Sequence, residues 1–193
     1  MTRPAAHSCK QKDFNTLLNT ALRSPDAVEV VECVKAISLS SSSDANKQEA
    51  ILQILATHPS TNNVVATCLA HLTACSDEAV RKGIKLVFKE PDGFDTDCSK
   101  ISAIVRLVSL SAYSPEDTIN IAHYAGHPRV ELRNATLRGI KALSTSQQQA
   151  LLLEASSLKQ NGDKDLAQLA LFIRAINPAT EATPSNTRRS PGQ

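Results

Sequence analysis

In 193 residues the chain has no tryptophan, two tyrosines, four phenylalanines and a single methionine. Aromatics make up only 3%. That is too few for the strand faces of a β-sandwich or barrel, which draw on aromatic and β-branched residues. Glycine is also scarce, at six, and leaves few places for tight β-turns. No apolar run approaches the roughly 18 residues of a membrane span, and the first 25 residues hold no apolar signal core. There is no CxxC pair, nucleophile elbow, P-loop or GxGxxG. The five cysteines, Cys9, Cys33, Cys68, Cys75 and Cys98, are odd in number and irregular in spacing. That argues against a disulfide framework and for a reduced, intracellular setting. An excess of one charge is missing too: the net charge is +2 and the pI about 8.3, so no polyanionic partner is required. The expectation is a cytoplasmic protein with no Sec signal, no membrane span and no cofactor or metal. Export by a non-classical route stays open, because such signals leave little trace in composition.

What is present is 41% apolar residues, a globular value, supplied almost wholly by Leu, Ile, Val and Ala. Their spacing is helical. Phe14, Leu17, Leu18, Ala21 and Leu22 recur on one face. Ser24-Pro25 starts a second helix, with Ser24 as N-cap and a stripe of Val28, Val31, Val34 and Ile37. Asp44 caps a third, with Ala50, Ile51, Ile54 and Leu55 inward, and His58-Pro59 stops it. A fourth covers 61–74. A fifth starts at Ser76, with Asp77 and Glu78 at the positive end of its dipole. The clearest loop spans 90–95, and a sixth helix follows over 98–112, with Ile101, Ile104, Val105 and Val108 inward. Ser114-Pro115-Glu116-Asp117 is a helix start whose helix ends at Gly126. His127-Pro128 opens the next, Ser146 with Gln149 another reaching Lys159, and Asn161-Gly162 a turn before the last helix, 163–176. The pattern predicts about ten helices and no strand. Residues 1–12 read as a flexible N-terminus, 13–176 as a single helical-repeat domain, and 177–193 as a disordered Pro/Thr/Ser tail. Short connections imply antiparallel hairpins.

Several of these helices resemble one another. The segment HPRVELRNATLRGIKAL, 127–143, places Pro128, Leu132, Arg133, Ala135, Gly139 and Ile140 in a recurrent pattern. SDEAVRKGIKLVF, 76–88, follows it with Val80, Arg81, Gly83 and Phe88. DANKQEAILQIL, 44–55, follows it more loosely, with Lys47-Gln48 at the Val-Arg places. DKDLAQLALFIRAI, 163–176, is looser still. Aligning Lys47, Val80, Leu132 and Leu166 gives separations of 33, 52 and 34 residues. The first and last match one helical hairpin, and the longer one leaves room for the extra helix at 98–112. The pattern over 24–176 resembles HEAT and HEAT-like lyase-type repeats. That resemblance implies an all-α, right-handed stack of antiparallel hairpins, an α-solenoid. It also implies an arginine ladder, with Arg at the start of each second helix pairing with an Asp of a neighbouring repeat. Tetratricopeptide arrays share the period, but their pattern calls for tryptophan. Gly83, Ala135 and Gly139 are expected to let helices approach closely; each glycine costs about 1 kcal/mol of helix propensity relative to alanine.

Three clusters invite a metal. His123 and His127 are i, i+4, but Tyr124 stands where the metalloprotease pattern needs Glu, and Gly126 and Pro128 break the helix; a surface loop pair is the expectation. Cys68, His71 and Cys75 have i, i+3, i+7 spacing, which would put them on one helix face, yet buried structural cysteines account for them; the same holds for His7 with Cys9. Glu90, Asp92, Asp95 and Asp97 lack calcium-loop spacing and read as a solvated loop. No metal or catalytic residue is expected.

The basic residues are more informative. Arg81, Lys85 and Lys89 follow i, i+4, i+8 with Lys82 beside them, and Arg129, Arg133, Arg138 and Lys141 lie on the similar later helix. In a HEAT-like stack such helices line the concave face. The leading expectation is a non-catalytic protein-protein interaction module, a scaffold or adaptor holding a partner segment there. Nucleic-acid binding by a basic groove is the alternative, weakened by the shortage of stacking aromatics. A HEAT-like lyase or glycosylase finds no site among these residues. A bacterial effector or secretion accessory is hinted at only by the polar N-terminus. Oligomeric state is not legible.

Overall fold

The computed structural model describes residues 13–158 and 163–178. The N-terminal segment 1–12 with His7 and Cys9, the Asn161-Gly162 turn, the end of the ninth helix beyond 158 and the tail from 179 lie outside the described residues. Among the described residues the chain is all-helical, with ten helices and no strand: α1 Phe14–Arg23, α2 Ala27–Leu39, α3 Asp44–Thr57, α4 Asn62–Thr73, α5 Asp77–Phe88, α6 Phe94–Val108, α7 Pro115–Ala125, α8 Val130–Ala142, α9 Thr145–Leu158 and α10 Lys164–Ile176. Within the described residues no helix is long and apolar enough to cross a membrane.

The helix starts are set by short polar side chains. Asp13 accepts from the Thr16 amide, Asp26 from Val28, Ser43 from Asn46 and Ser76 from Ala79, each satisfying a first-turn N–H with no intrahelical partner. At α7, Ser114 Oγ accepts from the Asp117 amide while the Asp117 carboxylate accepts from the Ser114 amide, a reciprocal box with Pro115 at the first position. Three expected starts move. Asp26 rather than Ser24 caps α2; Ser24 Oγ instead accepts from the Asp26 amide and donates to Glu29. Ser43 rather than Asp44 caps α3. At α9 the reciprocal pair is Ser144 with Gln147, two residues before the expected Ser146 and Gln149. The sixth helix also shifts: it starts at Phe94, so Asp95 and Asp97 form its first turn and leave the loop.

The chain divides into two compact units between Ala103 and Ile104, within α6. In the first, α1 packs on α2, α3 on α4, and α4 on α5; next-but-one helices also touch, α1 with α3, α3 with α5 and α2 with α4. Ile37, Ile51, Ile54, Leu55, Leu69 and Leu72 are fully buried there. In the second, α7 is central and packs against α8, α9 and α10, while α9 packs on α10. Its buried side chains include Ile121, Leu132, Ile140 and Leu151. Two apolar stripes differ from expectation. In α2, Val28 is 68% exposed while Val30, Cys33, Val34 and Ile37 are buried. In α6, Val105 is 48% exposed while Ala103, Ile104, Leu107 and Val108 are buried.

Candidate functional site

The basic residues of α5 occupy two faces of a helix whose third face is buried. Ala79, Val80, Gly83, Ile84 and Val87 point into the first unit. A Cβ on Gly83 would stand 2.9 Å from Leu69 Cδ2 and from Leu72 Cδ1, and 3.0 Å from Leu55 Cδ2. The glycine therefore lets α5 press against the leucines of α3 and α4. On the opposite side, Lys82, Lys85 and Lys89 are exposed at i, i+3, i+7. With Leu86 they wall a groove of about 440 Å³ against Glu49, Leu52, Gln53 and Ala56 of α3. Lys82 Nζ also lies 3.0 Å from Glu78 Oε1. That hydrogen bond, with the charges of Lys82 and Arg81, holds the Glu78 carboxyl below its usual value. Arg81 is half-buried and does not line this groove.

On α8 the cations are placed differently. Arg129 stands before the helix without a side-chain cap, and its amide donates to His127 Nδ1 at 3.2 Å. Arg133 turns back on its own entry loop, donating from a guanidinium N–H to His127 O at 2.8 Å and to Pro128 O at 3.4 Å. The arginine ladder implied by the resemblance is thus replaced, at Arg133, by closure of a local turn. Arg138 Nε donates to Asn134 O at 3.2 Å, and Lys141 Nζ sits 5.8 Å from the centre of the Phe172 ring on α10, within cation–π range. Gly139 is less tightly packed than Gly83: an added Cβ would stand 3.3 Å from Val108 Cγ1.

The clusters considered for metals resolve as follows. His123 lies on α7, and His127 is only 4% exposed, so the two are not a surface loop pair. Their rings are 5.3 Å apart and each lies beside buried Tyr124, at 5.1 and 5.6 Å. Cys68 is fully buried, whereas Cys75 is exposed and follows the end of α4, so Cys68, His71 and Cys75 do not share a helix face. Desolvation pushes the Cys68 thiol up to about 12. The acidic segment is not simply solvated either: Asp97 is buried, and Asp92 binds the ammonium of Lys100, a residue 2% exposed. Thr96 adds bonds to Pro91 O and Gly93 O. No group of three or more His, Cys, Asp or Glu among the described residues is placed to hold a metal.

Composition and helical periodicity pointed to the lysines but not to their wall. Leu52, Gln53 and Ala56 follow α3 at the spacing of one face, a signal that becomes meaningful only once α3 and α5 are known to touch. Comparison with protein families, with curated proteins and with solved structures finds no match for this chain.

Proposed function

We propose that this protein is a non-catalytic interaction module, a HEAT-like α-solenoid that holds a segment of a partner protein against its α3–α5 face. The observation that carries the reading is the groove in which Lys82, Lys85 and Lys89 rise beside Leu52, Ala56 and Leu86. Cations above an apolar floor suit a segment that alternates acidic and apolar residues: apolar contact supplies affinity, and charge supplies orientation and association rate. Hairpin stacking is supported in the first unit by next-but-one helix contacts and by the close approach at Gly83, as neighbouring repeats bury one another's apolar faces. In the second unit the support is narrower and rests on Gly139 against Val108. The α8 arginine Arg133, engaged in its own turn, contributes to folding rather than to docking in this reading.

A photoreactive residue at Gln53, exposed in the groove, tests the proposal, with Ala70 on α4 as the control position. A defined protein adduct from Gln53 and none from Ala70 is expected. Equal adducts at both positions, or none at Gln53, would remove the groove from consideration. Adducts to nucleic acid instead, lost at high salt, would favour the basic-groove alternative.

A further inference from the structure

A segment that follows the repeat pattern only loosely also borders a cavity. Lys47 and Gln48 stand at the Val-Arg places of α3. Both line a space of about 520 Å³ between the end of α2, the first turns of α3 and the end of α4, a volume in the range of small-molecule sites. We propose that this cavity binds a small monocarboxylate with an apolar body, its carboxylate seated on Lys47 and its body against Leu39, Ile51 and Ala74.

Three polar side chains converge on the cavity with hydrogen-bonding capacity to spare. The Lys47 side chain is only 19% exposed, yet among the described residues its ionic contact is Asp44 Oδ1 at 3.7 Å, beyond hydrogen-bond reach, on a carboxylate 94% exposed. The side chain is thus mostly covered while its ammonium has only a distant counterion, which leaves its donors available to an anion entering the cavity. The His71 ring and the Gln48 amide line the same space and have no side-chain hydrogen bond among the described residues. Desolvation, and then the charge of Lys35, hold the His71 pKa below 6.5. The ring is therefore neutral at pH 7 and offers one donor and one acceptor.

Lys47 is the one cation and Asp44 the one anion among the lining residues, and His71 is neutral, so a singly charged carboxylate meets less repulsion here than a phosphate dianion would. The walls explain the apolar body. Leu39 is 84% exposed at the end of α2, and a ligand lying across it would remove that surface from water. Cys75 lies in the lining with an exposed thiol, so an occupant would shield it. The proposal does not depend on the α3–α5 groove, which involves other residues of α3.

The test is an amide-shift titration of the full chain with butyrate, hexanoate, decanoate and phenylacetate, each paired with its matching alcohol. Shifts centred on Lys47, Gln48, His71 and Cys75 are expected, with an acid bound about tenfold or more tightly than its alcohol, a difference of about 1.4 kcal/mol. Lys47→Met should abolish that preference and Lys47→Arg retain it. Site-resolved alkylation should slow at Cys75 and not at Cys98 when the ligand is present. Several results would overturn the proposal: no response to any acid at millimolar concentration, shifts centred elsewhere, equal binding of acid and alcohol, or undiminished binding by Lys47→Met.

Discussion

Helices α5 and α8 carry the two best copies of one sequence pattern, and they use its residues in opposite ways. In α5 a serine caps the helix, the glycine is pressed by three leucines, and three lysines line a groove on the exposed side. In α8 no side chain caps the helix, the glycine meets one valine, and the first arginine within the helix is bound to the carbonyls of its own entry turn. A shared pattern of Pro or Ser, apolar, basic and small residues therefore fixes a helix and its buried face. Where Ser76 caps the first turn, Lys82, Lys85 and Lys89 remain on the surface and Arg81 is half-buried; where no side chain caps the helix, Arg133 binds the carbonyls of the entry turn.

This contrast should survive a graded set of substitutions. The largest effect is expected at the glycines. Gly83→Val places atoms inside the contact shell of Leu55, Leu69 and Leu72, each fully buried, and should cost about 3 kcal/mol in urea unfolding. Gly139→Ala should change stability by no more than about 0.5 kcal/mol, since the tight approach to Val108 is offset by improved helix propensity. Equal costs at the two sites would mean that they are packed alike. Next, Arg133→Ala removes charge-assisted bonds to two carbonyls and should cost about 1–2 kcal/mol, whereas Lys89→Ala on the exposed face should stay within about 0.5 kcal/mol. Ser76→Ala should cost about 1 kcal/mol through loss of the α5 cap.

Much of the helical framework was legible in the sequence, because apolar spacing and N-cap residues are local signals. Ser76 and the Ser114-Pro115 start stand where their residue types place them. The misplacements have specific causes. In α2, valines at 28, 30, 31 and 34 offer two overlapping stripes, and packing against α1 and α4 selected the one through Val30. In α6, acidic residues that look like a loop form a first helical turn, where carboxylates suit the dipole. Around Ser144, several polar residues are equivalent as caps, and only tertiary position distinguishes them. The candidate groove was half visible: Lys82, Lys85 and Lys89 were named from spacing, while Arg81 was grouped with them although it lies on another face. Which of two adjacent cations reaches a groove depends on the neighbouring helix, and that information is not local.

Smaller effects concern protonation. Burial holds the Cys68 thiol at about 12 against an ordinary 9.0. Because the folded value is the higher, its contribution to stability is complete below pH 9.0 and declines as pH rises toward 12. The same burial should leave Cys68 unmodified by an alkylating reagent that labels Cys75 and Cys98 in the folded chain, read by site-resolved mass spectrometry. The His71 shift has the opposite sign: its folded value lies below 6.5, so the unfolded chain takes up the proton first, and stability present above pH 6.5 falls as the pH drops. His71→Gln should flatten that part of the profile.

The most direct test of the docking face is affinity capture under native conditions with two charge-reversed variants. One carries Lys82→Glu, Lys85→Glu and Lys89→Glu; the other carries Arg138→Glu and Lys141→Glu. The account predicts that a partner protein held by the unaltered chain is lost by the first variant and kept by the second. Retention by the α5 variant, with its unfolding curve unchanged, would contradict the assignment of the α3–α5 groove.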